Sequence, residues 1–210
     1  LAILTYNRSF FLSNKEGNSV AVSSVRAGNV IGGGDFADFR LVSDCMRALM
    51  NSRPIEVRNP KSVRPWQIVF EPLSGYLWLA IHLLKQGKDF AEAWNFGPLE
   101  QKGVTAKEIA EKSIELWGNG SIIFGEGDPS KKETQMLRLN WDKAASRLDW
   151  KPTYTWEEAL SQTVDWFKKY SEIKNNSDSS AMYKKCVDDI KKYTERARQL
   201  GRKWALSSHL

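Results

Sequence analysis

The sequence predicts an α/β fold, and three observations predict it. A β-branched run over residues 20–25 feeds straight into a polar, glycine-rich turn holding Arg26, Asn29 and the glycines at 32–34. A strand that ends this way is how open α/β sheets offer ligand sites beyond the carboxyl ends of their strands. Short alternating stretches at 55–57, 93–98 and 122–124 read as further strands. Between them, apolar residues recur at steps of three and four, which marks helices.

In chain order, residues 1–11 read as the end of an apolar helix carrying Tyr6, Phe10 and Phe11, and 13–19 as a polar loop. The glycines at 32–34 let a backbone approach an anion without Cβ atoms in the way, although a glycine-rich turn is as readily just a turn. The pattern is neither GxGxxG nor a P-loop. Leu41, Val42, Cys45, Met46, Leu49 and Met50 share one helix face, and Arg53-Pro54 stops that helix. Residues 55–57 form a strand closed by Asn59-Pro60, and Arg64 stands in a polar turn before a β-prone run. Glu71-Pro72 opens the next helix, where the proline's missing N–H is harmless. That helix reaches about Lys85 and is apolar nearly all round, so it is expected to be buried. Its His82 reads as a packed or surface histidine. Thr105 with Glu108, and Thr155 with Glu158, have the spacing of capping boxes. Residues 125–132 read as a charged loop and 136–139 as strand-like, while Asn140 or Asp142 caps a short helix to about Leu148.

Composition narrows the function classes. The 210 residues are 41% hydrophobic and 27% charged, as in soluble globular proteins. No run is apolar enough to span a bilayer and none reads as a secretory signal, so a cytoplasmic chain is expected. Cys45 and Cys186 read as free thiols, and His82 and His209 have no metal-ligand spacing. Of the formal charge of +6, all but about one unit lies in residues 181–210, so the basic balance describes a tail and not a nucleic-acid-binding core. After a polar linker at 175–180, Tyr183, Cys186, Ile190, Tyr193, Ala197, Leu200 and Trp204 form a heptad-like seam. Such a helix either packs on its own domain or docks a second subunit. The expected division is 1–175 and a tail from 176 to 210. Because Leu1 is not a methionine and opens inside an apolar helix, the chain is expected to be a fragment.

Three strings carry a resemblance: VRAGNVIGGGDFADFRLVSD, PIEVRNPKSVRPWQIVFEPLSGY and AEAWNFGP. In order and spacing they resemble the carboxyl-terminal half of the CDP-glucose 4,6-dehydratases, a branch of the extended short-chain dehydrogenase/reductase superfamily, over about residues 5–170. The resemblance implies the last elements of a Rossmann-type doubly wound sheet, a smaller α/β substrate lobe and a helical tail. It implies a carbon–oxygen lyase that uses tightly held NAD. A hydride leaves carbon 4 of the hexose, water is lost across carbons 5 and 6, and the hydride returns at carbon 6, giving a 4-keto-6-deoxy sugar nucleotide. A related epimerase or decarboxylase, and a non-catalytic nucleotide-sugar-binding module, are the alternatives.

The family's dinucleotide loop, acid/base groups and Tyr-x-x-x-Lys pair lie upstream of the segment matched here, so no catalytic residue is assigned. The resemblance places a nucleotide sugar against this half. Arg64 matches the arginine that pairs with the diphosphate, Asn29 an asparagine beside the diphosphate and reacting sugar, and Asn95 a further nucleotide contact. Leu41, Val42, Ile55 and Val57 match positions shaping the base and ribose slot, and Arg58 is a candidate for selecting cytosine. Arg26 and Asn29 are the candidates for the cofactor side. Each has a plainer alternative: an ion pair for the arginines, a turn cap for the asparagines, core packing for the apolar four. Three positions depart from the family pattern: Phe36 stands for a tryptophan, Ser43 for a proline and Ile68 for a histidine. A homo-oligomer is expected, through the tail helix, and neither nucleic acid nor membrane is expected as a partner.

Overall fold

The β-branched run forms its strand later than its composition suggests. In the computed structural model, which describes residues 2–12, 20–100, 102–125, 137–173 and 179–206, residues 20–23 have no regular structure. Strand β1 is Ser24–Ala27 and β2 is Asn29–Ile31, so strand structure runs on through Asn29 towards the glycines. The break between them is Gly28. A Cβ there would meet the Pro65 carbonyl oxygen at 2.4 Å, and the Asn29 amide donates to that same oxygen at 2.8 Å. Only glycine lets the backbones come this close, and the chain steps there from one strand pair to another. β1 pairs in parallel with β6 (Ala93–Phe96), whereas β2 pairs in parallel with β5 (Trp66–Ile68).

The other strands build the second lobe. β3 (Ile55–Val57) pairs in parallel with β8 (Ile122–Phe124). Arg64 lies in β4 (Val63–Arg64), not in a free turn, because β4 pairs antiparallel with β7 (Val104–Thr105). Helices cover these strands: α2 (Leu41–Met50), α4 (Ala106–Trp117) and α6 (Trp156–Ile173). Met46, Ile55, Ile68, Ile109, Leu160 and Phe167 pack into one core between them. Both capping boxes form. Glu108 N–H donates to Thr105 Oγ1 at 3.1 Å while Glu108 Oε2 accepts from the Thr105 amide at 2.8 Å, and Thr155 and Glu158 repeat the pattern. Thr105→Ala is expected to cost about 1 kcal/mol in a denaturant melt, the usual loss of one such cap.

A second core joins α3 (Phe70–Gln86), β6 and α5 (Asp142–Leu148) through Trp78, Leu79, Trp94, Phe96, Leu148 and Trp150. Asn140 Oδ1 accepts the Asp142 amide at 2.9 Å, but the N-cap position of α5 is Trp141 and carries no side-chain cap, so neither Asn140 nor Asp142 caps the helix as expected. The expectation that α3 is buried all round does not hold. Its Ser74, Gly75, Trp78 and Leu79 face inward, but Leu73, Leu77 and Leu84 are 46%, 69% and 87% exposed. These three are four and seven residues apart, one outward stripe of the helix. His82 is packed between Trp78 and Phe90, at 4.9 and 4.7 Å between ring centroids. Short α1 (Ala2–Tyr6) runs into a π-helical turn, Asn7–Leu12, whose buried Asn7 donates to the Val22 and Ala91 carbonyls. The loop at 13–19, most of the charged loop and residues 175–178 of the linker lie outside the described residues. Of the strand-like 136–139, residues 137–139 have no strand structure and 136 is outside.

The tail is helix α7 (Ser179–Gln199), and its seam is divided. Tyr193 and Ala197 are buried, whereas Tyr183 and Ile190 are exposed. Tyr193 reaches a buried carboxyl: its hydroxyl donates to Glu71 Oε2 at 2.8 Å. Glu71 Oε1 accepts the amides of Thr153 and Tyr154 at 2.9 and 2.7 Å. Glu71 is 1% exposed, and desolvation pushes its carboxyl up to about 7, against the pull of those hydrogen bonds and of Arg202. Among the described residues no helix is long and apolar enough to cross a membrane.

Candidate functional site

A cavity of about 860 Å³ opens where β2, β3 and β4 meet the start of α2. That size suits a small-molecule site. It gathers six of the candidate residues: Asn29, Leu41, Val42, Val57, Arg58 and Arg64. Asn29 is brought there by the β2–β5 pairing, opposite Trp66. Arg64 is held by β4, and its Nη1 donates to the neighbouring Val63 carbonyl at 2.9 Å. Trp66 Nε1 donates to the Val104 carbonyl at 3.2 Å and ties that strand pair to the site floor.

Three candidates lie outside the lining. Ile55 is 1% exposed and belongs to the core. Arg26 and Asn95 sit side by side across the β1–β6 register, with Arg26 exposed. Asn95 Nδ2 donates to the Asn140 carbonyl at 3.0 Å, and its Oδ1 is buried with no partner among the described residues.

The sequence reading named Leu41 and Val42 but passed over Arg40 and the backbone amides at the start of α2. Arg40 is the N-cap residue and makes no side-chain cap. Arg40, Leu41, Val42, Ser43 and Asp44 all line the cavity, so the helix opens onto it. An uncapped helix start leaves amide donors and the positive end of the helix dipole for an anion. The signal was present in the sequence as a missing Ser, Thr, Asp or Asn before Leu41. Arg40, Arg58 and Arg64 face Asp35, Asp44 and Glu56 in the same lining, so the charges are mixed. Arg40 pairs with Asp35 at 3.6 Å and Asp44 with Arg47 at 3.1 Å. Burial raises the Asp44 carboxyl, while Arg47 and Arg58 draw it back.

The glycine turn serves packing more than anion approach. A Cβ on Gly33 would stand 2.0 Å from Trp166 Cγ, so an α6 ring occupies that space. Gly34 has φ of +81°, which glycine tolerates. Of the three glycines, Gly32 lines the cavity. Phe36 then packs edge-on against Phe167 at 5.4 Å and beside Tyr170 at 5.2 Å. Among the described residues no cluster of three His, Cys, Asp or Glu side chains suits a metal ion.

No family model matches the chain. Over 171 residues, 81% of its length, it is 41% identical to the CDP-glucose 4,6-dehydratase of Salmonella typhimurium. The chain belongs to the sugar-nucleotide dehydratase/epimerase family of extended short-chain dehydrogenase/reductases. It spans 48% of that curated relative's length. Solved structures of the family share its fold. The NAD complex of Bacillus anthracis dTDP-glucose 4,6-dehydratase matches 81% of the chain and 50% of its own, with a TM-score of 0.63 at 22% identity. The Bacillus cereus UDP-glucuronic acid 4-epimerase, solved with UDP-glucuronic acid and NAD, matches 79% and 48%, again at 0.63, with 16% identity. The Rossmann-type α/β class expected from the sequence is therefore the class observed.

Proposed function

We propose that this chain is the substrate-binding half of a CDP-glucose 4,6-dehydratase, and that the cavity takes the nucleotide sugar. The observation that carries the reading is the meeting, in one cavity, of Arg64, Asn29 and the uncapped start of α2. A diphosphate needs cations and neutral donors around its oxygens. A guanidinium fork supplies the first and helix amides with a carboxamide supply the second. Leu41, Val42 and Val57 offer an apolar wall to the base and ribose, and Arg58 a donor to the base carbonyl. The choice of CDP-glucose over other sugar nucleotides rests on the 41% identity.

NAD supplies a hydride acceptor and donor when bound. This chain's residues fit one polar end of it: Asn95, whose buried Oδ1 has no partner among the described residues, pairs in strand register with the exposed Arg26. The role left to this chain is to bind and orient the nucleotide, which is where positioning contributes to such a reaction. The outward stripe Leu73, Leu77 and Leu84 supports the reading of a half enzyme, being the kind of apolar face that a neighbouring layer covers.

Calorimetric titration with CDP, UDP and dTDP tests the proposal. CDP is expected to bind tightest, and Arg64→Ala to weaken it about 30-fold, the value of one charge-assisted phosphate contact. Equal binding of all three nucleotides would remove the CDP assignment. Undiminished CDP binding by Arg64→Ala would remove the diphosphate role.

A further inference from the structure

Phe39 is held out of the core at a cost. It is 81% exposed and has φ of +63°, a conformation a bulky side chain rarely adopts. The surrounding loop imposes this. Phe36, three residues earlier, is anchored on α6 by Phe167 and Tyr170. Asp35 Oδ1 accepts the Ala37 amide at 3.0 Å, and Arg47 Nη2 donates to the Ala37 carbonyl at 3.2 Å. Two aromatics on one loop thus differ: Phe36, 45% exposed, rests one face on α6, whereas Phe39 stands out from the core and lines the cavity. Above its ring lies the Arg58 guanidinium, 5.6 Å from the centroid, from a different segment of the same lining. A rigidly presented, exposed ring beside a guanidinium plane is a platform for a planar π system.

We propose that Phe39 and Arg58 form a stacking clamp that grips the nucleobase of the ligand at the cavity mouth. The proposal rests on the nucleotide-sugar reading of the cavity. It adds that the base is held by its face, through Phe39, and not only by its edge. The strained backbone of Phe39 is maintained for that purpose.

Two ligands and four variants separate the possibilities. Titrations use CDP and inorganic pyrophosphate, which lacks a base, and each variant is also melted thermally. Phe39→Ala is expected to weaken CDP about tenfold and leave pyrophosphate unchanged. Phe39→Tyr keeps the ring and is expected to bind CDP like the unaltered protein. Phe39→Gly is expected to lose CDP affinity as Phe39→Ala does, yet to melt about 2–4 °C higher, because glycine relieves the left-handed backbone. Arg64→Ala is expected to weaken both ligands. Unchanged CDP affinity in Phe39→Ala, with CDP weakened by Arg64→Ala, overturns the clamp and leaves the nucleotide site standing. A lower melting temperature in Phe39→Gly also overturns it, since Phe39 is then a packing residue or the anchor of another chain. No CDP binding by the unaltered protein, or none lost in either Ala variant, overturns the site and the clamp together.

Discussion

Glu71→Ala is expected to lower the melting temperature by roughly 10–15 °C. The carboxyl accepts three hydrogen bonds in a place water does not reach: from the amides of Thr153 and Tyr154 and the hydroxyl of Tyr193. Removing it strands three donors, and each buried orphan costs about 1–3 kcal/mol. A loss of about 4 kcal/mol in total is the reasonable expectation, with the small cavity included. Glu71→Gln separates charge from hydrogen bonding. Its amide oxygen can accept both backbone N–H groups, and its NH₂ can donate to Tyr193, whose hydroxyl then turns to Ser74 Oγ at 3.3 Å. The sign of the pH effect follows from the raised carboxyl. Its folded value of about 7 lies above the ordinary 4.5, so the folded protein holds this proton more tightly than the unfolded chain does. The contribution is complete below about pH 4.5 and is lost as pH rises through about 7. Melts of both proteins from pH 4.5 to 8 should therefore show Glu71→Gln gaining on the unaltered protein by roughly 3 kcal/mol as pH rises. A difference that stays flat across that range would show the carboxyl titrating at its usual value.

Trp150→Ala is the second large loss, expected at about 5 kcal/mol by denaturant unfolding. Trp150 is fully buried and stands edge-on to Phe96 at 4.9 Å and to Trp141 at 6.0 Å. Its Nε1 donates to Ser74 Oγ at 3.0 Å, the hydroxyl that also meets Tyr193. Truncation empties a ring-sized volume at the joint between α3, β6 and α5, where tightly packed neighbours relax only in part. Trp150→Phe keeps most of the volume and loses the N–H, so a cost of about 1–2 kcal/mol is expected. If Trp150→Ala lost less than that, the second core would be able to collapse around the gap.

Helices were legible where they have a local device: apolar spacing over 41–50 and the capping boxes at Thr105 and Thr155. Two features depended on partners far along the chain and left no local mark. The step of the chain at Gly28 is set by the Pro65 carbonyl, and residues 20–23, although they hold Val20 and Val22, join no strand. The exposed stripe of α3, Leu73, Leu77 and Leu84, is more apolar than the buried face that holds Glu71, Ser74 and Gly75, so composition alone points to the wrong face as the covered one. In the site, Asn29 and Arg64 were found through family motifs and do share a cavity. Phe39 and Arg40 were missed because their signals are negative ones, a bulky residue where glycine is comfortable and a helix start without a cap. Glu71 was read only as a helix-opening residue, and its partner Tyr193 lies 122 residues away.

That separation bears on how the protein is made. During synthesis the segment holding Glu71, Thr153 and Tyr154 emerges before Tyr193, and at about 5–20 residues per second the wait from Glu71 is roughly 6–24 s. For that interval the Glu71 carboxyl lacks its third partner, and the lobe holding it stays open to water. Helix α7 thus leaves the ribosome after the lobe that its Tyr193 helps to close, and a chain stopped short of Tyr193 would be a natural substrate for chaperones and proteases.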